Sequence, residues 1–179
     1  MYAALLRGIN VGGKNMLPMP ALAELFAAAG CERVRTYIQS GNVIFAATRD
    51  CAAALPSVLP PMIARKFGFA PPVVVRSARD LAQAAASSPY PVPTAQGHSL
   101  HILFLATRPG PRLIAGLDPD RSPGDRYTVR GGEIYLSLTS GAADTKLTNA
   151  YFDSKLATVS TGRNWRTVLK LVELTSDRN

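Results

Sequence analysis

Hydrophobic and polar positions change along this chain in short blocks, and each block predicts one strand or one helix. The apolar stretch "YAALLR" (2–7) predicts a strand. In "PALAELFAAAG", apolar residues recur at helical spacing between Pro20 and Gly30, which predicts a helix. "VRTYIQS" and "NVIFAA" then predict two strands that are joined at Ser40 and Gly41.

The next blocks complete the order of strands and helices in the first half of the chain. Residues 50–67 predict a helix that Pro56, Pro60 and Pro61 break or kink, because proline removes a backbone donor. "PVVVRS" (72–77) predicts a fourth strand, and "ARDLAQAAA" predicts a short helix after it. The first half therefore has the order β-α-β-β-α-β, which is the ferredoxin-like order.

The pattern partly recurs after residues 87–98, which are rich in Pro and Ser and predict a linker. "SLHILFLA" predicts a strand, "PRLIAGL" a short helix, and "RYTVR" and "EIYLSL" a hairpin. A helix is predicted over 147–156, "TVST" is the remaining candidate for a fourth strand, and a last helix begins near Asn164. We predict an α+β protein of two linked ferredoxin-like α/β plaits, the second modified with an extra C-terminal helix, over residues 1–86 and 99–179.

Composition narrows the classes of partner. The chain has 179 residues, a hydrophobic fraction of 47% and a net charge of +8. The charge favours an anionic partner, either nucleic acid or a phosphate-bearing ligand, although a basic protein with dispersed charge fits equally well. The apolar runs are too short to span a bilayer, so no membrane association is expected. Cys31 and Cys51 have neither metal-ligand spacing nor disulfide density, which favours the cytoplasm.

The stretch "RGINVGGKN" resembles a phosphate-binding P-loop, because Gly8 to Lys14 satisfies G-x-x-x-x-G-K. Asn15, however, stands where Ser or Thr would bind magnesium. Pro18 and Pro20 also move the helix start beyond Lys14, whereas a P-loop helix begins at the lysine. We therefore reject a nucleotide-hydrolysing P-loop.

A weaker prediction remains for this loop. Gly12 and Gly13 allow left-handed backbone conformations, and successive amides in such a loop can bind an anion. The alternative is an ordinary turn between a strand and a helix.

The predicted topology brings this loop to a second polar segment. In a β-α-β-β unit, the end of the first strand and the hairpin between the second and third strands share one edge of the sheet. Polar groups that converge from separate segments are a better candidate site than one segment alone. Arg35, Tyr37 and Gln39 are also predicted to share one strand face, for which a solvated surface is the alternative. The candidate ligand-binding residues at this edge are Arg7, Asn10, Gly12, Gly13, Lys14, Asn15, Tyr37, Gln39, Ser40 and Asn42.

Three segments together resemble a bacterial family known as domain of unknown function 1697. They are "LLRGINVGGKNMLPM", "VRTYIQSGNVIF" and "STGRNWRTVLKL", and they extend from Leu5 to about Leu171. The resemblance implies two linked α/β plait domains in a cytoplasmic bacterial protein. It implies no activity and no catalytic residues.

The third segment predicts a helix start with two candidate donors. Arg163 and Asn164 are predicted to present donors to an anion at the helix N-terminus, where Thr161 is the predicted cap. The alternative is that Arg163 pairs with a carboxylate while the helix is anchored to the core. The predicted apolar helix face consists of Trp165, Val168, Leu169 and Val172.

Familiar catalytic patterns are missing from the sequence. His98 and His101 have no Cys or carboxylate partners at ligand spacing, so we predict no metal site and no cofactor. The leading hypothesis is a non-enzymatic protein that binds an anionic partner at the predicted edge, with Arg163 and Asn164 contributing. The alternatives are an enzyme that acts on a small phosphorylated metabolite in an interdomain cleft, and an assembly protein. Whether there is catalysis, and the oligomeric state, stay open at this point.

Overall fold

A computed structural model describes residues 1–94, 98–139 and 141–176. These residues form a mixed α+β fold with two four-stranded antiparallel sheets and six helices. The chain divides into two units, Met1–Ala82 with Leu171–Asn179, and Gln83–Lys170. Parts of the predicted linker (95–97) and of the predicted second domain (140 and 177–179) lie outside the described residues.

The first sheet is built from the first half of the chain and has the strand order β2-β3-β1-β4. Strand β3 pairs with both β1 and β2, and β1 also pairs with β4, in each case antiparallel. The elements are β1 (Tyr2–Leu6), α1 (Met19–Ala28), β2 (Glu32–Tyr37), β3 (Asn42–Ala46), α2 (Arg49–Phe67), β4 (Val73–Ser77) and α3 (Ala78–Ala86).

Helix α2 continues through three prolines, so the prediction of a break is wrong. Thr48 caps its start by accepting a hydrogen bond from the amide of Cys51, and Gly68 ends it in a left-handed conformation. Leu55, Leu59 and Ile63 are spaced four residues apart, and all three are buried in the first core. This packing offsets the hydrogen bonds that the prolines remove, because tertiary burial contributes most of a helix's stability.

The second sheet has the strand order β6-β7-β5-β8, again antiparallel throughout. Its core contains Leu103, Ile134, Leu136 and Phe152. The elements are β5 (Ser99–Leu105), α4 (Pro111–Ala115), β6 (Arg126–Arg130), β7 (Glu133–Leu138), α5 (Asn149–Leu156), β8 (Ser160–Asn164) and α6 (Trp165–Ser176).

The fourth strand of this sheet lies later than "TVST" (158–161) predicts, and this shift changes the roles of its neighbours. Strand β8 pairs with β5 and includes Thr161 and Arg163. The prediction that Thr161 caps the last helix is therefore wrong. Asn164 is the cap, because its Oδ1 accepts a hydrogen bond from the amide of Thr167 at 2.8 Å.

The buried face of α6 also differs from the predicted apolar face. Leu169 is 46% exposed, whereas Thr167, Val168, Leu171 and Thr175 are buried. The burial of Thr175 costs little because its hydroxyl donates to the carbonyl of Leu171 at 2.7 Å, which satisfies the polar group within the helix. A pattern that counts only apolar residues cannot detect such a position.

None of the helices in residues 1–94, 98–139 and 141–176 has the length and hydropathy needed to cross a membrane.

Candidate functional site

The loop after β1 and the turn between β2 and β3 meet at one edge of the first sheet, as predicted. We call residues 7–18 and 37–42 together the loop–turn edge. The amide of Leu6 donates to the carbonyl of Gly41 at 2.8 Å, and the side chain of Asn10 donates to the carbonyl of Gln39 at 2.9 Å. The amide of Arg7 donates to the carbonyl of Pro72 at 3.0 Å, so the start of β4 borders the same edge.

Asn10 is the residue that ties the two segments together. Besides its bond to Gln39, its Nδ2 donates to the carbonyl of Leu17 at 2.9 Å. Its Oδ1 accepts from the amide of Leu17 at 2.7 Å. One side-chain amide thus closes the loop from residue 10 to residue 17 and fixes it against the turn.

Two other predicted asparagines also act within the edge. Asn15 donates to the carbonyl of Gly8 at 2.9 Å, across the base of the loop. Asn42 is fully buried and donates to the carbonyl of Tyr37 at 3.2 Å and to the hydroxyl of Ser40 at 3.0 Å. Asn42 therefore shapes the turn, and its side chain is not available to a ligand.

The turn requires unusual backbone conformations. Gly41 has a φ of +76°, and a Cβ added there would lie 2.9 Å from the Cβ of Leu6. Ile38 has a φ of +50° although it is β-branched and 50% exposed. A β-branched residue in this region is strained, and such strain is concentrated at functional sites.

Gln39 lies outside strand β2, so it does not share a strand face with Arg35 and Tyr37 as predicted. Strand β2 ends at Tyr37, and the left-handed Ile38 breaks the alternation of side chains. Gln39 is therefore an exposed turn residue. Arg35 remains in the strand, where it donates to the carbonyl of Leu174 at 3.3 Å.

The glycine-rich part of the loop is open to solvent. Gly12 and Gly13 have φ values of +57° and +72°, and a Cβ at either would meet no atom within 4 Å. Among the described residues, none accepts a hydrogen bond from their amides. Helix α1 begins only at Met19, so exposed Lys14 lies in the loop and the arrangement differs from a P-loop.

Cationic and apolar side chains are exposed together on this edge. Lys14, Gln39 and Ser40 are exposed, while Arg7 and Tyr37 are half-buried. Residues 7–18 and 37–42 contain no Asp or Glu. Three large apolar side chains on this edge are also exposed, although they were not among the predicted site residues: Val11 (65%), Met16 (61%) and Ile38 (50%). Their signal in the sequence is the presence of large apolar residues inside a glycine-rich loop and its facing turn.

Arg163 and Asn164 lie in the second unit, at the end of β8. Arg163 is buried, and its guanidinium donates to the hydroxyl of Thr161 at 2.8 Å and to the carbonyl of Gly162 at 2.7 Å. Burial lowers the pKa of Arg163 to about 10, so the group remains a cation at neutral pH. Arg163 is therefore not an exposed donor, whereas Asn164 is exposed and uses its Oδ1 as the helix cap.

The two cysteines contact each other, which their separation in sequence does not reveal. Cys31 is buried, and its pKa is raised to about 12 by burial and by the neighbouring Cys51. Cys51 in turn donates to the carbonyl of Ala29 at 3.4 Å. Both are free thiols. In the described part of the chain, no three His, Cys, Asp or Glu side chains cluster in a way that could hold a metal ion.

The segments that build the loop–turn edge are matched by a known family. The family described as "Protein of unknown function (DUF1697)" matches residues 1–135, about three quarters of the chain. The chain belongs to the DUF1697 family. The match includes the loop–turn edge and ends before the segment "STGRNWRTVLKL". The family description assigns no function.

A solved structure supports the fold of this DUF1697 chain over nearly its full length. It is described as the structure of the conserved bacterial protein SP0830 from Streptococcus pneumoniae, with a TM-score of 0.69 and 24% sequence identity. The alignment covers 97% of each chain. At this identity the similarity concerns the fold alone. No curated protein matches the chain significantly.

Proposed function

We propose that the loop–turn edge binds an anionic partner and that nucleic acid is the leading class. The observation that carries the proposal is a braced loop that offers unbonded amides at Gly12 and Gly13 beside Lys14. Consecutive amides in left-handed conformations bind anions, and a neighbouring ammonium adds attraction. The absence of acidic residues from 7–18 and 37–42 leaves this attraction unopposed within the edge.

The exposed apolar side chains favour nucleic acid over a free phosphate. Val11, Met16 and Ile38 are each at least half exposed. A phosphate group needs only donors and cations, whereas bases also offer apolar faces and edges. An edge that offers donors and apolar groups together matches both parts of a nucleotide chain.

The test is binding of a fluorescent single-stranded oligonucleotide and its duplex across a salt series. Phosphate contacts release counterions, so the affinity should fall linearly with salt on logarithmic axes. With Arg7 and Lys14 as the contacts, we expect a slope of about −1.4 for a single strand. Competition by inorganic phosphate distinguishes a free phosphate site, and the absence of binding at low salt would eliminate the nucleic-acid proposal.

A matched pair of variants locates the contact. Lys14→Gln should weaken binding at low salt and reduce the steepness of the salt dependence by about one contact. Arg49→Gln removes one charge from another exposed position, beyond the opposite end of β3. Equal losses in both variants would indicate attraction by net charge alone and would contradict a site at this edge.

An assembly function is the second candidate, because the same three apolar side chains could contact a protein. Exposed apolar patches mark protein interfaces. This candidate predicts that the chain self-associates or captures a partner and that Ile38→Asp abolishes the association. Sedimentation at rising protein concentration tests self-association. A monomer at every concentration would contradict self-association.

The ferredoxin-like topology of the two sheets and the cellular compartment are also proposals. The antiparallel strand orders β2-β3-β1-β4 and β6-β7-β5-β8 support two ferredoxin-like plaits. Domains at residues 1–86 and 99–179 with a linker at 87–98 remain a proposal from the sequence. The adjacent free thiols of Cys31 and Cys51 support a reducing cytoplasm. Membership of the DUF1697 family supports the expectation of a bacterial protein.

A further inference from the structure

The second unit contains a cavity of about 280 Å³ between its sheet and the segment that leads into α5. Its floor consists of leucines from two strands, β5 and β7, and from this segment: Leu103, Leu136, Leu138 and Leu147. Ala142 and Gly162 are among the other lining residues. The volume lies at the lower end of ligand pockets, which range over roughly 300–1,000 Å³, so a ligand would be small.

The polar part of the lining carries no full charge. It consists of His101, Thr145, Thr148 and Asn149, and none of the described lining residues is Asp, Glu, Lys or Arg. Burial lowers the pKa of His101 below its usual value, which keeps the imidazole neutral at neutral pH. The cavity therefore lacks the cation that a carboxylate or phosphate would require.

A hydrogen-bonded chain fixes the direction of the Asn149 side chain. The hydroxyl of Ser160, which is fully buried, donates to the carboxylate of Asp153 at 2.6 Å. Since that proton is committed, the Ser160 oxygen accepts from Asn149 Nδ2 at 2.7 Å. Asn149 Oδ1 is thereby left as an acceptor, and no described residue donates to it. It points towards Gly162, where a Cβ would lie 3.8 Å from it.

The start of α5 does not supply an alternative anion site. The amide of Tyr151 donates to the hydroxyl of Thr148 at 3.2 Å, and the amide of Phe152 donates to its carbonyl at 3.2 Å.

We propose that this cavity binds a small uncharged molecule with an apolar body and one hydroxyl or N–H group, which donates to Asn149 Oδ1. The leucine floor takes the apolar body. The site is independent of the loop–turn edge, since all of its residues belong to the second unit.

Titration of the full chain with p-cresol, followed by amide NMR spectra, tests this assignment. We expect shifts at residues 141–149 and at Gly162. p-Xylene has the same body without a donor and should bind about tenfold more weakly, the loss that corresponds to one hydrogen bond of about 1.4 kcal/mol. p-Toluate adds a negative charge at similar size and should not bind.

Two neighbouring alanines provide the matched variants. Ala142 and Ala143 are both exposed, but only Ala142 lines the cavity. Ala142→Leu should reduce p-cresol affinity at least about tenfold, whereas Ala143→Leu should leave it unchanged. The proposal is overturned if p-cresol causes no shifts up to its solubility limit, if p-toluate binds equally well, or if both variants bind alike. The amide spectrum itself shows whether a variant is folded. If a variant misfolds, the residues whose signals shift in the wild-type titration still test whether p-cresol binds in this cavity.

Discussion

At the scale of single residues, side-chain amides hold the loop–turn edge in a conformation that its backbone alone would not maintain. Asn10, Asn15 and Ile38 all have positive φ values, at +55°, +51° and +50°. The two asparagines tolerate this region because their short side chains bond to nearby backbone. Ile38 has no such compensation, so the three positions should respond differently to substitution.

Asn10→Ala should lower the free energy of unfolding by about 3 kcal/mol, because it removes three hydrogen bonds and leaves alanine at a left-handed position. Asn15→Ala is the matched control, since it has the same backbone conformation but loses one bond. Its loss should be smaller by about 1–2 kcal/mol. Urea unfolding measures both, and equal losses would mean that Asn10 does not join the two segments.

Ile38→Asn should raise the free energy of unfolding by about 1 kcal/mol, because asparagine adopts a left-handed conformation at lower cost. The side chain is half exposed, so little packing is lost. If the proposed function is correct, the same variant should weaken partner binding. Urea unfolding and oligonucleotide anisotropy on one preparation check both effects, and a destabilised Ile38→Asn would show that the isoleucine is not strained.

At the scale of elements, most strands and helices were predictable from local patterns, while their ends were not. The apolar runs of β1 and β5 and the hairpin at Gly131 and Gly132 are visible in the sequence. The continuity of α2 and the start of β8 depend on packing that no local window contains. Thr161 was misassigned for this reason, because a threonine before a helix and a threonine in a strand look alike.

The joint between β1 and β3 depends on a close approach at Gly41. Gly41→Ala places a Cβ 2.9 Å from Leu6 and 3.0 Å from Ile9, in addition to the cost of a positive φ. We expect a loss of about 2–4 kcal/mol in unfolding free energy. Gly12→Ala has a similar φ but open space, so it should cost only about 1 kcal/mol. Similar losses in thermal unfolding would contradict the close approach.

The segment between α4 and β6 is fastened to the end of β7 by Asp125. Burial opposes its charged form, but hydrogen bonds from Thr139, Thr145 and Ser122 outweigh this, so the pKa of Asp125 lies below its usual 3.8. A depressed folded-state pKa stabilises the fold above the ordinary value, and this contribution is lost as the pH falls through the folded-state pKa.

Asp125→Asn should therefore destabilise the chain at neutral pH, with a gap to wild type that narrows as the pH falls below 3.8. Urea unfolding at a series of pH values measures this gap. A gap that stays constant with pH would show that the carboxylate charge does not contribute.

At the scale of the whole molecule, one element order appears twice, and each unit offers a different chemistry. We propose an anionic partner for the basic loop–turn edge of the first unit and a neutral ligand for the uncharged cavity of the second. Topology let the sequence predict that the loop and the turn meet. It did not predict the burial of Arg163 and Asn42 or the contact of Cys31 with Cys51, since these depend on packing between segments that are separated in the sequence.

If the loop and the turn form one binding surface, amide NMR spectra during an oligonucleotide titration at low salt should show shifts in both segments. We expect the amide signals of Gly12, Gly13 and Lys14 to shift together with those of Gln39 to Gly41, while the signals of Arg49 and of the second unit stay unchanged. Shifts in only one of the two segments, shifts centred elsewhere, or no shifts at all would contradict a single binding surface.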